Sequence, residues 1–274
     1  NNGISLYRVE DDTWEHLFSW DKSEVESMKN SIFLSLCETN PGEIVAGGFM
    51  TGVYHIDKST KKAHLQTPET YIPDKENPTF TNKYIRVIYR DSEGLIWTGG
   101  NNYLGRTNSK TREFKYYQIN NPATCIVEQN SDVLLIGTGD GIYRLNKRTD
   151  EVKKMRLPFA SQQINCMYLH PCGDLYIGTT NSGLVILRTD GEYEIYLYNT
   201  SALLSNTVNT IVPKNEHEII VATEQNIALY NNRNKEFVNW TKDQGLIEAN
   251  FTPRAGIHTS RGTFIFGSDN GAVE

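Results

Sequence analysis

Short apolar runs alternate with polar turns along the chain, and they recur in the same order. A β-leaning run such as IRVIY, INCMY or VNTIV leads into a polar turn (RDSEG, HPCGD, KNEHE) and a second apolar run (LIW, LYI, IIV). A Gly/Asn/Thr turn comes next, then a third run (GVYHI, GIYRL, GLVIL) and another polar turn (DKSTKK, NKRTDE). A fourth run, often ending in aromatics (FKYY, YEIYLY, FVNW), completes the unit. Runs this short, bounded by residues that tolerate positive φ or bond their own backbone, predict four strands per unit. No segment sustains a 3.6-residue apolar period over a dozen positions; DKSEVESMKN comes nearest and is too short and polar.

Aligning the second and third runs brings two small residues into register. The first is Gly47, Gly99, Gly137, Gly178, Ala222 and Gly267; the second is Gly48, Gly100, Thr138, Thr179, Thr223 and Ser268. Successive spacings are 52, 38, 41, 44 and 45 residues. Four-stranded units at this period predict an all-β chain, a β-propeller of antiparallel blades, rather than a helical solenoid. The small pair is expected to let the backbone pack against the next blade, with alternating residues such as Tyr143 and Leu145 filling the space between.

The blades fall at about 31–67, 84–118, 123–157, 163–198 and 207–241, with a further one shared between 1–20 and 249–274. Residues 3–20 match only the third and fourth strands of a unit. Residues 249–274 match the first two and the opening of the third, so the terminal halves are expected to close one blade. The count is six, within a single propeller over 1–274, or seven if the chain is an excerpt of a longer protein.

Composition narrows the function classes. The 274 residues carry a formal net charge of −6, which argues against nucleic acid or an anionic membrane as the main partner. No apolar run approaches the roughly 20 residues that span a bilayer, and the first thirty residues show no signal-peptide pattern. Cys37, Cys125, Cys166 and Cys172 lack zinc-site spacing. Three of them lie in apolar runs and are expected to be buried free thiols, with a disulfide as the alternative in an oxidising compartment. Neither a metal nor a cofactor is expected, and no G-x-S-x-G, H-E-x-x-H or phosphate-loop motif occurs.

The repeat resembles those in the sensor regions of hybrid two-component regulators from Bacteroidetes. IRVIYRDSEGLIWTGG carries the pattern best, with Asp91, Gly94, Trp97 and Gly99 in place. The final stretch is similar to the family's end-of-propeller signature at Gly245, Leu246, Asn250, Phe251, Gly262, Phe266, Gly267 and Gly271. Only one unit keeps the Trp, and Ala222 replaces a Gly. The resemblance implies a periplasmic ligand sensor in an inner-membrane-anchored protein, typically for oligosaccharides released from complex glycans. It further implies a second propeller, an immunoglobulin-like domain and a histidine kinase elsewhere in the polypeptide, and it leaves room for a homodimer.

In a propeller, the loops joining strand two to three and strand four to the next strand one share the usual ligand face. The first kind begins at Phe49, Asn101, Gly139, Thr180, Glu224 and Asp269; the second includes the long loop 68–83. One position after the first apolar residue of strand one reads Arg86, Thr124, Asn165, Asn209 and Arg254 in successive units. With Tyr84, Tyr103, Tyr71 and Trp240 nearby, these form the candidate ligand-binding set. Amides and guanidinium groups suit hydroxyls or a carboxylate, and aromatic faces suit sugar C–H surfaces. The plainer alternative is that these side chains bond water in a central tunnel.

A non-enzymatic role is expected, because the histidines fall away from the ligand face. Its acids are chiefly Asp140, Glu224 and Asp269. A propeller-type polysaccharide lyase or glycoside hydrolase is the alternative, and a protein-interaction scaffold a second.

Overall fold

The computed structural model describes residues 4–8, 10–16, 32–49, 52–66, 84–111, 113–159 and 163–274. The chain divides into two compact units, Asn1–Ile126 and Val127–Glu274. The first opens with a two-stranded ladder, β1 (Ser5–Arg8) and β2 (Thr13–His16). Two four-stranded antiparallel sheets follow: β3 (Ile32–Asn40), β4 (Glu43–Phe49), β5 (Gly52–Asp57) and β6 (Lys62–Leu65), then β7 (Val87–Arg90), β8 (Ile96–Gly99), β9 (Tyr103–Thr107) and β10 (Phe114–Gln118).

Strand β11 (Ala123–Asn130) crosses the boundary and heads the sheet completed by β12 (Val133–Thr138), β13 (Gly141–Asn146) and β14 (Val152–Lys154). The second unit continues with β15 (Ile164–Leu169), β16 (Leu175–Thr179), β17 (Leu184–Leu187) and β18 (Tyr193–Tyr196). Next come β19 (Val208–Pro213), β20 (Glu218–Thr223), β21 (Ile227–Asn231) and β22 (Glu236–Trp240). A 3₁₀ turn at Lys242–Gln244 precedes the last sheet, β23 (Phe251–His258), β24 (Phe264–Ser268) and β25 (Gly271–Val273).

Every sheet keeps its strands in chain order, which tight hairpins dictate: a turn of a few residues can only return the chain alongside the strand it has just left. The partial module at each end has the expected content, two strands in the first unit and three in the second, each hydrogen-bonded within its own unit.

Apolar residues pack between consecutive sheets. In the first unit Val45 and Val53 meet Ile85, Ile88 and Ile96. In the second, Tyr176, Leu184 and Ile186 meet Val208, Val221 and Tyr230, and Val212, Ile220 and Ile227 meet Phe251 and Phe266. Each such side chain contributes roughly 1.5–3 kcal/mol by burial, so neighbouring modules stabilise each other. Tyr143 and Leu145 are buried as expected.

The repeated small pair divides its labour, and in every module but the second both members lie at the end of strand two. A Cβ on Gly99 would stand 2.5 Å from the Ala123 Cβ, and one on Gly178 2.7 Å from a Val208 methyl, so glycine permits the next module's strand one to approach. The second position works through its hydroxyl. Thr138, Thr179, Thr223 and Ser268 each donate to the backbone carbonyl that begins or immediately precedes strand three, at 2.8–3.1 Å. That bond closes the loop on the candidate ligand face in four modules.

Among the cysteines, Cys125 and Cys166 are buried as expected. Cys37 is only half-buried, and all four are free thiols, with Cys172 exposed. Cys37 lies on β3, whose strand is less covered than its counterparts in later modules.

Candidate functional site

The strand-one position is built differently from module to module. In β15 and β19 it is a β-bulge: Asn165 falls between the Ile164–Thr179 and Cys166–Gly178 pairs, and Asn209 between Val208–Thr223 and Thr210–Ala222. A bulged residue leaves the ladder and re-aims its side chain, which explains why a polar residue recurs there. The same irregularity on β3 falls at Leu34, so the first module carries an exposed aliphatic side chain at this place.

Each strand-one residue has a counterpart fifteen positions on, the first residue of the loop between strands two and three. In two modules a hydrogen bond joins them. Arg86 donates from Nε to Asn101 Oδ1 at 3.0 Å, and Thr180 donates from its hydroxyl to Asn165 Oδ1 at 3.1 Å. The loop and strand candidates are therefore halves of one local unit. The fifteen-residue offset holds in every module although strand two itself varies from four to seven residues, and that offset was the overlooked signal in the sequence.

In the second unit these amides also stitch modules together. Asn165 donates to the Val208 carbonyl at 3.1 Å and to Asn209 Oδ1 at 3.4 Å, and Asn209 donates to the Phe251 carbonyl at 2.8 Å. Thr210 adds a bond to the Thr252 carbonyl. Asn209 is 6% exposed, so its amide serves β23 rather than solvent. Arg254 sits on β23 at φ +63° and is exposed.

The other candidates separate. In the first unit, Tyr103 is buried and donates to the Tyr84 carbonyl at 2.8 Å, while Tyr84 meets Phe49 edge-to-face at 4.9 Å. Burial pushes the Tyr103 phenol well up, so it stays a neutral donor. Thr124 is half-buried, with its hydroxyl 3.8 Å from Cys125 Sγ. Trp240 ends β22 opposite Ile227, three strands from Asn209 across the sheet. Tyr71 and the whole 68–83 loop lie outside the described residues.

The loop acids are tied down. Burial works upward on Asp140, but the Lys154 ammonium at 2.8 Å and the Thr138 hydroxyl at 2.7 Å outweigh it and hold the carboxyl below its usual range. Asp269 is lowered by the side-chain amide and the backbone N–H of Asn250. Glu224 lies 3.5 Å from the Ser205 hydroxyl. A general acid needs a raised pKa, and Asp140 and Asp269 move the other way. The histidines are dispersed. His55 contacts Glu43, His258 stacks on Phe264 at 4.2 Å, and His170 is buried in the β15–β16 turn.

No family model matches the chain, and no curated protein does. Solved structures do. The extracellular domain of a hybrid two-component system from B. thetaiotaomicron aligns with a TM-score of 0.60 at 13% identity, over 97% of this chain and 41% of that one. A second such domain from B. thetaiotaomicron gives 0.65 at 17%, over 88% and 34%. Virginiamycin B lyase from Staphylococcus aureus gives 0.60 at 14%, over 85% and 82%.

The fold is a β-propeller. At these identities the likeness establishes architecture, and the propeller modules seen here span less than half of either two-component chain.

Proposed function

We infer that this propeller is the ligand-sensing part of a membrane-anchored two-component regulator, placed outside the cytoplasm. It detects oligosaccharides from glycan breakdown and passes the signal to kinase modules of the same polypeptide. The observation that carries this reading is the fold likeness to two hybrid two-component extracellular domains, one over 97% of the chain, together with the repeat pattern around Asp91, Gly94, Trp97 and Gly99. Signalling requires the ligand, or dimerisation through propeller faces, to favour one arrangement of the neighbouring domains over another.

Local geometry ranks the candidate contacts. Asn165 and Asn209 donate to backbone carbonyls of the next module, so their first role is structural. Arg86, oriented by Asn101, offers a guanidinium fork suited to a carboxylate or vicinal hydroxyls. Calorimetry against a panel of glycan oligosaccharides, with turnover measured on the same compounds, tests the reading. Saturable binding that Arg86→Ala weakens at least tenfold, without product, supports it.

A lyase reading has one observation in its favour: virginiamycin B lyase matches over 82% of its own length, whereas the two-component domains match over less than half. Product formation from any panel member would replace the sensor reading with that one.

A further inference from the structure

Strand one of the last module departs from its counterparts at the candidate position. In β15 and β19 a single residue, Asn165 or Asn209, stands outside the ladder. In β23 the pairing passes from Phe251–Ser268 to Gly256–Phe266, so Thr252, Pro253, Arg254 and Ala255 lie opposite Gly267 alone. The bulge of one extra residue has become a loop with three, and Thr252, Pro253 and Arg254 are exposed on it.

The backbone there is strained. Among the described residues, Asp12, Lys61, Asp150, Lys235 and Arg254 have positive φ without being glycine. The first four lie in turns between strands three and four, where a left-handed residue helps to close the hairpin. Arg254, at φ +63°, lies within a strand. A Cβ makes this conformation unfavourable, and glycine would adopt it without strain.

The loop is nonetheless held from both ends. The Phe251 carbonyl accepts the buried Asn209 amide at 2.8 Å, and the Phe251 N–H donates to the Glu224 carbonyl at 2.8 Å. The Thr252 carbonyl accepts the Thr210 hydroxyl at 3.3 Å. At the far end Gly256 packs so closely that a Cβ would lie 2.6 Å from the Thr210 methyl. β23 also runs close to β15, one module beyond β19. Carboxylates of the adjoining loops have their own partners: Asp269 is held by Asn250, and Glu248 by Lys242. An exposed guanidinium on a pinned, strained loop is a preorganised donor.

We propose that Arg254 is the specificity-determining residue of the glycan site and pairs with a carboxylate, so that the ligand is an acidic, uronate-bearing oligosaccharide. The inference rests on the glycan-sensing reading. A planar fork of donors matches the two oxygens of a carboxylate. A primary alcohol on the same sugar carbon would leave the cation without a counter-charge, which disfavours the neutral ligand.

Calorimetry tests this with oligomers of galacturonic, glucuronic and mannuronic acid, their carboxyl-reduced neutral counterparts, and a sulfated oligosaccharide of equal length. At least one uronate is expected to bind ten times or more as tightly as its neutral counterpart, and more tightly than the sulfated compound. Arg254→Gly removes the guanidinium and relieves the left-handed backbone, so it should melt close to the wild type while losing that preference. Arg254→Lys keeps the charge without the fork and should retain only part of it. Equal binding of acidic and neutral forms by the wild type overturns the proposal and leaves glycan sensing standing. A preference for the sulfated compound, or a folded Arg254→Gly that still selects the uronate, does the same. Failure of every uronate to bind also overturns it. Turnover of a uronate, with KM raised tenfold in Arg254→Gly, would remove the sensor reading and uphold this one.

Discussion

The turns between strands one and two of the second and fourth modules occupy the same place in the repeat and are closed by different chemistry. In the second, Asp91 is 2% exposed. One of its carboxylate oxygens accepts the backbone N–H groups of Glu93 and Leu95, and the other accepts the Trp97 indole at 2.8 Å. In the fourth, His170 stands where Asp91 does and Tyr176 where Trp97 does. The imidazole accepts the Cys172 N–H with one nitrogen and reaches the next module with the other. The carboxylate accepts donors from its own turn and the strand that follows it. An imidazole leaves one nitrogen for a neighbour, so the same turn becomes a joint between modules with a thiol beside it.

The sharpest break in this comparison is Asp91→Ala. Three donors lose their acceptor, one of them a buried indole, and the expected destabilisation is about 3–5 kcal/mol. A large drop in the urea midpoint checks it, and Asp91→Asn should recover part of the loss.

Acid should act through the fourth module. Burial pushes the Glu194 carboxyl up, but Tyr196, Arg188 and Lys235 outweigh it and bring it to about 2, against 4.5 unperturbed. The folded value is the lower one, so the stabilisation is complete above about pH 4.5 and is lost as pH falls toward 2. It amounts to on the order of 2–3 kcal/mol. Arg188 bridges Glu194 to Asp174 in the same turn as His170, so Glu194→Gln should flatten the acid limb of a stability–pH curve.

A smaller effect is expected from His170→Ala, about 2 kcal/mol from the loss of the Glu216 and Cys172 bonds. His170→Asp should rebuild the turn of the second module without the bond to Glu216. Thermal melts of the two variants separate closure of the turn from joining of the modules.

Asn209→Ala should cost about 1–1.5 kcal/mol, because the Phe251 carbonyl loses its donor. The mildest change is Lys153→Ala, which removes an exposed pair with Glu151 and should fall within about 0.5 kcal/mol in the same melts.

Much of the architecture was legible in the residues. The recurrence of Gly47, Gly99, Gly178 and Gly267 marks close approaches, because a side chain there collides with residues on or just before a strand one, as Ala123 and Ile85 show for Gly99 and Gly47. Strand positions followed from short apolar runs and turn chemistry, both local in the chain. The candidate site was less legible. Arg86 and Asn165 were visible as polar intrusions in apolar runs, but not their bonds to Asn101 and Thr180, which depend on how strand two returns beside strand one. The bulges at Asn165 and Asn209 were invisible for a related reason. A single extra residue leaves the alternation on either side intact and declares itself only in pairing.

By itself the sequence determined the modular all-β plan and the order of strands and turns within each unit, because those depend on contacts spanning few residues. Tertiary structure decided what each polar side chain does. Asn165 meets the Val208 carbonyl and His170 meets that of Glu216, 43 and 46 residues away, one module on in each case. Partners that far apart along the chain meet only when sheets stack, and no local pattern of residues encodes which carbonyl an amide or an imidazole will face.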